Sequence, residues 1–354
     1  MNLDLKVHKL IDQLPWLLAS RLKQYFPVPV GHYFVVSKTP LVVLIPEDFF
    51  DNESLWIPFF DVLKRRRVYF LGLVRSGIEY YADTYKQLFS PVLLKHSKIY
   101  PEHRFIFLAN NAAQTQIYDD LGVESVFVNQ NCLADETRFK VDADVAKQFD
   151  AIHNAVSAPY KRHELTRLIE RLAIITYLST QHLDYFEEIK AILGHASWLN
   201  FPQENVEISS FRQIPRDDVC GYINQARVGL CLSETEGAMF ASIEYLLSGL
   251  PVVSTHSYGG RDVFFDDDYV AIVEADPEAV NEGVNRMIER NIDPLKIREE
   301  TLRKMEEHRQ RFVNMIVDIS AREGIEANAQ HVYAETFPNQ LYKLRPLHKI
   351  LDCF

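Results

Sequence analysis

The chain has 354 residues, and its 38 Lys and Arg against 49 Asp and Glu give a formal net charge of −11. Hydrophobic residues make up 47% and charged residues 25%, the proportions of a globular protein, which excludes a disordered or collagen-like chain. The length fits two domains, and the negative charge argues against a dedicated nucleic-acid binder, because such proteins carry a basic surface.

The first predicted element is an amphipathic helix within residues 1–26, whose leucines fall roughly on one face. We expect it to pack on its own domain, and a membrane surface is the alternative partner. Lys6, Lys9 and Asp12 interrupt its apolar run, so no signal peptide is predicted. No run of 18 apolar residues occurs, so no transmembrane helix is predicted either. Four widely spaced cysteines fit a reduced, cytoplasmic protein.

Residues 1–130 alternate short apolar runs with helical patterns, which predicts a Rossmann-like parallel sheet covered on both faces. The basic run 64–67 ends a helical pattern, where cations complement the helix dipole; an anionic acceptor or a membrane surface is the alternative. Asn110 and Asn111 end a strand, and they either face a binding cleft or only form a turn. The expected strands are 41–45, 67–74, 104–109 and 123–129, with helices near 77–90 and 112–120.

Residues 131–148 are polar without a clear period and are interpreted as a linker. Residues 149–322 repeat the alternation more clearly, which predicts a second, doubly wound α/β domain. The tail 323–354 has little periodicity. The expected strands of the second domain are 150–156, 172–178, 205–211, 228–233, 250–255 and 269–275, with helices at 182–193, 216–225, 238–248 and through 276–322.

The densest group of glycines lies in residues 233–262, which hold 4 of the 13 glycines. There a strand ends at Ser233, and a loop through Glu236 and Gly237 leads into a helix. Such a turn at the carboxyl edge of a parallel sheet is a common ligand site, because its backbone N–H groups favour a phosphate. An N-cap role is the alternative for Glu236. Glu244 lies in a mostly apolar helix, where a carboxylate needs partners such as ribose hydroxyls unless it is simply exposed.

Several of these features follow one another in a specific order. They are the run Ser-Glu-Thr-Glu-Gly, Glu244 eight positions after Glu236, the segment SGLPVVST and the GGRD turn. In this order they resemble the nucleotide-sugar half of GT-B glycosyltransferases, most closely the retaining glycosyltransferase family 4, also called group 1. The resemblance implies an α/β fold of two Rossmann-like, doubly wound domains facing a cleft, with a reduced N-terminal domain. It also implies that the first domain binds the acceptor, that the second binds the nucleotide sugar, and that the tail crosses back to the first.

The resemblance also assigns roles to individual residues. Glu236 would contact the transferred sugar, and Glu244 would bind the nucleotide ribose. The backbone of Gly237, Ala238 and Met239 would face the sugar and the phosphate.

A second motif of the family follows the first strand of the second domain, in the segment SAPYKRHEL at 157–165. The family has an Arg and, five residues later, a Lys, which together grip the diphosphate. Lys161 matches the Lys, but Val156 stands at the position of the Arg, and Arg162 is expected to compensate. An ordinary basic surface turn is the alternative interpretation of these residues.

The activity that the resemblance implies is transfer of a sugar from a UDP- or GDP-sugar to an acceptor hydroxyl, with retention at the anomeric carbon. This is a transferase of the EC 2.4 type, in polysaccharide or glycoconjugate biosynthesis, with Lys161 and Glu236 as the catalytic residues. Neither a metal nor another cofactor is expected, since the family needs none. The 12 histidines show no metal-ligand spacing, and residues 266–268 have the pattern of a solvated acidic loop.

The expected partners are a nucleotide sugar and a carbohydrate or glycolipid acceptor, without nucleic acid. The expected location is the cytoplasm, with peripheral contact at the inner face of the membrane as an option. Two alternatives stay open. One is a sugar-nucleotide epimerase on the same fold. The other is a non-catalytic module that binds a nucleotide sugar or a protein, which Val156 favours.

Overall fold

The computed structural model describes residue 10 and residues 32–46, 53–74, 77–202, 205–337 and 345–352. The helix predicted within 1–26 lies outside the described residues, apart from Leu10. The strands are β1 (His32–Lys38), β2 (Leu41–Pro46), β3 (Val68–Leu73), β4 (His103–Ala109), β5 (Ser125–Phe127), β6 (Phe149–Val156), β7 (Leu172–Tyr177), β8 (Ser197–Trp198), β9 (Ala226–Cys231), β10 (Thr235–Glu236), β11 (Val252–Thr255), β12 (Tyr258–Gly259), β13 (Val270–Val273) and β14 (Arg345–Pro346). The helices are α1 (Glu53–Leu63), α2 (Ala82–Ile99), α3 (Ala112–Asp120), α4 (Leu183–Ile192), α5 (Arg216–Asn224), α6 (Phe240–Leu247), α7 (Pro277–Arg290), α8 (Pro294–Arg322) and α9 (Ala329–Thr336).

The chain divides into two compact units, of which unit 1 comprises residues 1–133 and 308–354. Its sheet has the order β14-β1-β2-β3-β4-β5 in the described residues. The strands β2 to β5 run parallel, as the sequence predicts, whereas β1 is antiparallel to both β2 and β14. Aromatic side chains of α1, α2 and α3 cover the face that carries Phe70 and Phe107. On the other face, the hydroxyl of Tyr69 donates to Glu323 at 2.7 Å. Elements from both ends of the chain therefore build unit 1.

Unit 2 comprises residues 134–307 and contains a sheet of six parallel strands in the order β13-β11-β9-β6-β7-β8. Apolar side chains of α4 and α7 cover one face of this sheet. On the other face, Tyr245 of α6 packs so closely on β9 that a Cβ at Gly229 would lie 2.4 Å from its ring. β6 pairs with β7 on one side and with β9 on the other, so the strand order reverses at β6. Open α/β sheets bind ligands at the carboxyl ends of the strands beside such a reversal.

The boundaries between the units differ from the predicted ones. The sequence predicts a linker at 131–148, but the Arg298 guanidinium donates to the carbonyls of Phe139 and Leu247, both at 2.5 Å, and so attaches this segment to unit 2. The sequence also predicts that the second domain continues to 322. The structure instead assigns residues from His308 onward to unit 1, where Arg309 donates to the Cys132 carbonyl at 2.9 Å. A single long helix, α8, thus serves both units, which helical periodicity does not reveal.

The strand predicted at 205–211 is wrong. The strand at this edge of the sheet is β8, and residues Ile208–Ser210 form a 3₁₀ turn. The Ser210 hydroxyl donates to the Asn205 carbonyl at 2.7 Å, and the Ser210 N–H donates to the Glu207 carbonyl at 2.8 Å. Short polar side chains offer the backbone such local partners in place of a strand ladder.

Among the described residues, no helix is both long enough and apolar enough to span the membrane.

Candidate functional site

A cavity of about 360 Å³, here called cavity 1, opens at the carboxyl edge of the sheet of unit 2. It lies beside the point where the strand order reverses. Its walls come from segments that are far apart in the sequence, and this convergence is typical of ligand sites in doubly wound sheets. They are residues 154–156 of β6, Tyr160 and Lys161 in the following turn, Tyr177 at the end of β7, Glu236 of β10, and 239–241 with Glu244 at the start of α6.

Lys161 and Glu236 form an ion pair inside cavity 1. Each residue exposes only 9% of its surface. The turn Pro159–Lys161 fixes the position of the lysine, because the Lys161 N–H donates to the Ala158 carbonyl at 2.9 Å. Charges are rarely buried without a partner, since desolvation costs several kcal/mol for each ion. The pair therefore keeps one ammonium and one carboxylate at the cavity wall, 75 residues apart in the chain.

Glu244 faces the same cavity from α6 and is half-buried. Burial raises the pKa of its carboxyl group to about 8, and the guanidinium of Arg216 opposes this shift. Burial also raises the pKa of the Tyr177 hydroxyl, and the Glu244 charge adds to that effect. A carboxylate in such surroundings gains from any group that donates hydrogen bonds to it. Ribose and sugar hydroxyls are groups of this kind.

The loop from β10 to α6 contains Gly237, Ala238 and Met239, whose backbone is predicted to face the sugar and the phosphate. Gly237 and Ala238 lie in the loop itself, and the Gly237 carbonyl accepts a hydrogen bond from the Gly260 N–H at 2.7 Å. Met239 lines cavity 1 and has a φ of 53°, in the left-handed region. Strained backbone of this kind clusters at binding sites. α6 begins at the next residue, and Phe240 and Ala241 line cavity 1, so the N-terminus of α6 lies at the cavity wall.

Arg162 does not line cavity 1. Its φ is 52°, again left-handed, and its guanidinium pairs with Glu234 at 2.8 Å. It lines a second cavity of about 430 Å³, here called cavity 2, together with residues that follow β11 and β13. The structure thus brings Lys161, Glu236, Met239 and Glu244 into one cavity and places Arg162 in its neighbour.

Arg261 of the GGRD turn stabilises the strand ends next to cavity 1. Arg261 is fully buried and donates to the carbonyls of Cys231 at 3.0 Å and Ser233 at 2.9 Å. It also donates to the Thr255 carbonyl at 2.5 Å, so one side chain holds the ends of β9 and β11 together. The sequence suggests only that this turn faces the crevice. A buried arginine acting on backbone carbonyls has no signature in the residue pattern, so sequence reasoning misses it.

Sequence reasoning also misses two tyrosines of cavity 1. Tyr160 precedes Lys161, whose ammonium lies 5.2 Å from the centre of the Tyr160 ring. Burial raises the pKa of the Tyr160 hydroxyl, and the Glu236 charge adds to that effect. Tyr177 is the last residue of β7, at the edge where ligands bind. Its place as a polar residue at the carboxyl end of a predicted strand is the one signal that identifies it.

Other sequence candidates have structural partners in unit 1. Asn111 caps α3 by accepting the Gln114 N–H at 2.9 Å, and the Asn110 side chain donates to the Val74 carbonyl at 3.0 Å. In the basic run, Arg67 pairs with Glu102 at 3.0 Å. In the part of the chain that the structure describes, no group of three or more His, Cys, Asp or Glu side chains is arranged to hold a metal ion.

The two Rossmann-like units have the fold of GT-B glycosyltransferases. HepE from Anabaena in complex with UDP is similar with a TM-score of 0.53 and 14% identity, over 79% of this chain and 78% of that chain. Sucrose-phosphate synthase from Thermosynechococcus elongatus is similar with a TM-score of 0.54 and 13% identity, over 98% of this chain and 80% of that one. S. aureus TarM, in a complex that contains UDP, is similar with a TM-score of 0.52 and 16% identity, over 73% of this chain. The match spans only 53% of TarM.

The family model described as "Glycosyl transferases group 1" matches residues 202–307. This stretch contains Glu236, Met239, Glu244 and the GGRD turn, and it begins after Lys161. No curated protein sequence matches the chain significantly. The resemblance drawn from the sequence motifs and the family match thus coincide in the same part of unit 2.

Proposed function

We propose that the chain is a glycosyltransferase of the EC 2.4 type, which transfers a sugar from a UDP- or GDP-sugar to an acceptor hydroxyl with retention. One observation carries the proposal. Lys161 is far in sequence from Glu236, Met239 and Glu244, yet all four line cavity 1 where the strand order reverses. The last three lie within the stretch that matches the group 1 model. We place the reaction in the synthesis of a polysaccharide or glycoconjugate.

Lys161 and Glu236 are the proposed catalytic residues. Negative charge grows on the diphosphate as its bond to the anomeric carbon breaks, and the Lys161 ammonium stabilises that charge. Before the donor binds, Glu236 neutralises the ammonium. When the donor is bound, the diphosphate shares the ammonium, and the Glu236 carboxylate accepts hydrogen bonds from the hydroxyls of the transferred sugar.

The other residues of cavity 1 hold the nucleotide. We assign the ribose hydroxyls to Glu244 and the diphosphate to the backbone N–H groups of Met239 and of the first residues of α6. The loop through Gly237 and Ala238 gives the sugar access to this backbone. No metal enters the proposal, because a lysine and backbone N–H groups supply the positive potential. Asp266 and Asp268 are already paired with Lys304 at 3.1 Å and Lys296 at 2.8 Å.

A carbohydrate or glycolipid acceptor completes the proposal, in the cytoplasm or at the inner face of the membrane. UDP is the first nucleotide to test, because the similar HepE and TarM structures contain it. One observation favours a non-catalytic module as the second candidate. Val156, at the position of the family's arginine, lines cavity 1 and brings no charge to the diphosphate.

The test is calorimetric titration with UDP and GDP, followed by turnover assays with UDP- and GDP-sugars. We expect Lys161→Met to weaken nucleotide binding at least about tenfold and to abolish transfer, because a cation on the diphosphate is lost. Lys296→Met is the control, since this lysine is exposed and paired away from cavity 1. Thermal unfolding of both variants reports whether they fold. If folded Lys161→Met had the affinity and turnover of the native chain, the assignment of Lys161 would be excluded. If the native chain bound the nucleotide but showed no turnover, the non-catalytic module would be favoured.

A further inference from the structure

Cavity 2 has the size of a small-molecule site, about 430 Å³, and lies at the carboxyl edge of the same sheet. Its walls follow the ends of β9, β11 and β13 and include the turn after β6. The proposed function uses none of its side chains once Arg162 is removed from the diphosphate site. The residues that matter here are Arg162, Glu234, His256, Ser257, Tyr258 and Glu274.

Adjacent residues of the chain line the two cavities. Lys161 lines the first and Arg162 the second, and each pairs with a glutamate of the same loop, Glu236 and Glu234. The short parallel pair β10–β12 contributes to both cavities, because Glu236 of β10 lines cavity 1 and Tyr258 of β12 lines cavity 2. A ligand in cavity 2 therefore lies one strand pair away from the proposed sugar-binding carboxylate.

The charges of cavity 2 disfavour an anion. It carries two carboxylates, Glu234 and Glu274, against one guanidinium, and that guanidinium is already paired with Glu234 at 2.8 Å. A phosphate or a second nucleotide would meet net negative charge at this wall. A neutral ligand with several hydroxyl groups fits better, because carboxylates accept hydrogen bonds from hydroxyls and the guanidinium donates to ring oxygens.

An aromatic ring completes this pattern. Tyr258 lines cavity 2 with 50% of its surface exposed. A half-exposed tyrosine presents an apolar ring surface that the C–H groups of a sugar ring can cover. Cavity 2 thus combines hydrogen-bond acceptors and donors with a flat apolar surface. This combination matches a sugar ring, which is polar at its edge and apolar on its faces.

We propose that cavity 2 binds a neutral sugar residue, at a subsite separate from the proposed nucleotide-sugar site. If the proposed function holds, this sugar belongs to the acceptor and lies beside the transferred sugar. The binding itself does not depend on that function. Arg162 then serves the sugar subsite, whereas Lys161 serves the diphosphate.

The experiment is saturation-transfer NMR on the full chain with methyl glycosides of glucose, galactose, mannose and N-acetylglucosamine, each with and without UDP. Inorganic phosphate is the anionic probe. We expect at least one glycoside to bind and phosphate not to compete with it. Tyr258→Ala and Glu274→Gln should each weaken that glycoside roughly tenfold, as expected for the loss of one stacking or hydrogen-bonding contact. UDP affinity should not change in either variant.

Glu282→Gln is the matched control, an exposed carboxylate on α7 outside both cavities. Binding of none of the four glycosides would overturn the proposal. So would equal glycoside binding in both variants, or displacement of the sugar by phosphate. If UDP fails to bind the native chain while a glycoside binds through Tyr258 and Glu274, the proposed function fails and the sugar subsite stands.

Discussion

Among the residues of cavity 1, Glu244 gives the clearest prediction of how ligand binding depends on pH. Burial raises the pKa of its carboxyl group to about 8, so we expect the unliganded protein to hold a proton there at neutral pH. Ribose hydroxyls that donate to this group favour its ionised form and lower its pKa. We therefore expect nucleotide binding to release a proton and its affinity to depend on pH.

We expect UDP affinity to rise between about pH 6 and about pH 8 and to level off above, by at most about tenfold per pH unit. Calorimetry at about pH 7 in buffers of different ionisation enthalpy measures the proton that Glu244 releases. UDP itself also titrates near this range, so the comparison is with Glu244→Gln, in which the contribution of Glu244 disappears. An identical pH profile in the two proteins would contradict the ribose assignment.

The sequence predicts Lys161, Glu236 and Glu244 from their residue types and spacing, and the structure places all three at cavity 1. The sequence does not identify the direction of Arg162. That direction follows from a left-handed backbone turn, with a φ of 52°, which no local pattern predicts for an arginine. Adjacent basic residues look equivalent in sequence, yet they serve different cavities in the structure.

At the scale of elements, the two-residue pair β10–β12 positions the site. Gly259 in β12 has a φ of 109°, and a Cβ there would lie 1.5 Å from the Glu236 carbonyl oxygen. Backbone hydrogen bonds hold β10 and β12 together on either side of Gly259. The Tyr258 N–H donates to the Glu234 carbonyl at 2.8 Å, and the Gly260 N–H donates to the Gly237 carbonyl at 2.7 Å. Close approach and positive φ both require glycine here. The glycine cluster that the sequence shows thus has a backbone role in addition to the one expected at the phosphate.

We expect Gly259→Ala to separate β10 from β12 and displace Glu236, because the added methyl group has no space. Hydrogen exchange at the Tyr258 and Gly260 amides should accelerate, and UDP-sugar affinity should fall at least about tenfold. Gly221→Ala is the control, because a methyl group at this exposed position of α5 meets no atom within 4 Å. It should leave exchange and affinity unchanged and stabilise the protein by up to about 1 kcal/mol. Native exchange rates in Gly259→Ala would contradict the role of the strand pair.

Elements with strong periodicity are predictable, and elements decided by tertiary contacts are not. β6, β7, β9 and β11 follow from apolar runs, because strands buried on both faces tolerate few polar residues. The 3₁₀ turn at 208–210 cannot be predicted in this way, since Ser210 and Glu207 form hydrogen bonds with each other's backbone instead of with a neighbouring strand. The antiparallel strand β14 is only two residues long, so its partner β1 and not its sequence defines it.

At the scale of the whole chain, each unit buries a pair of histidines. In unit 1, His96 and His103 are hydrogen-bonded at 3.0 Å. In unit 2, the rings of His153 and His163 lie 4.6 Å apart, and neither side chain is exposed. Burial lowers the pKa of His96 and of His163 to about 3, that of His103 to about 4, and that of His153 well below its usual value. The folded protein thus keeps four imidazoles neutral at pH values where the unfolded chain protonates them.

This difference makes stability depend on pH in a defined direction. As the pH falls below about 6.5, the unfolded chain takes up protons at these histidines and the folded chain does not, so folding stability is lost. Each histidine costs about 1.4 kcal/mol per pH unit, or about 2 kcal/mol at about pH 5. We expect His153→Leu, which is close in volume, to remove one such contribution, because neither nitrogen of His153 has a hydrogen-bond partner in the described residues. Thermal unfolding between about pH 7.5 and about pH 5 measures the slope. His331→Gln, at an exposed position of α9, should retain the native slope, and an unchanged slope in His153→Leu would show that this buried pair does not govern the acid sensitivity.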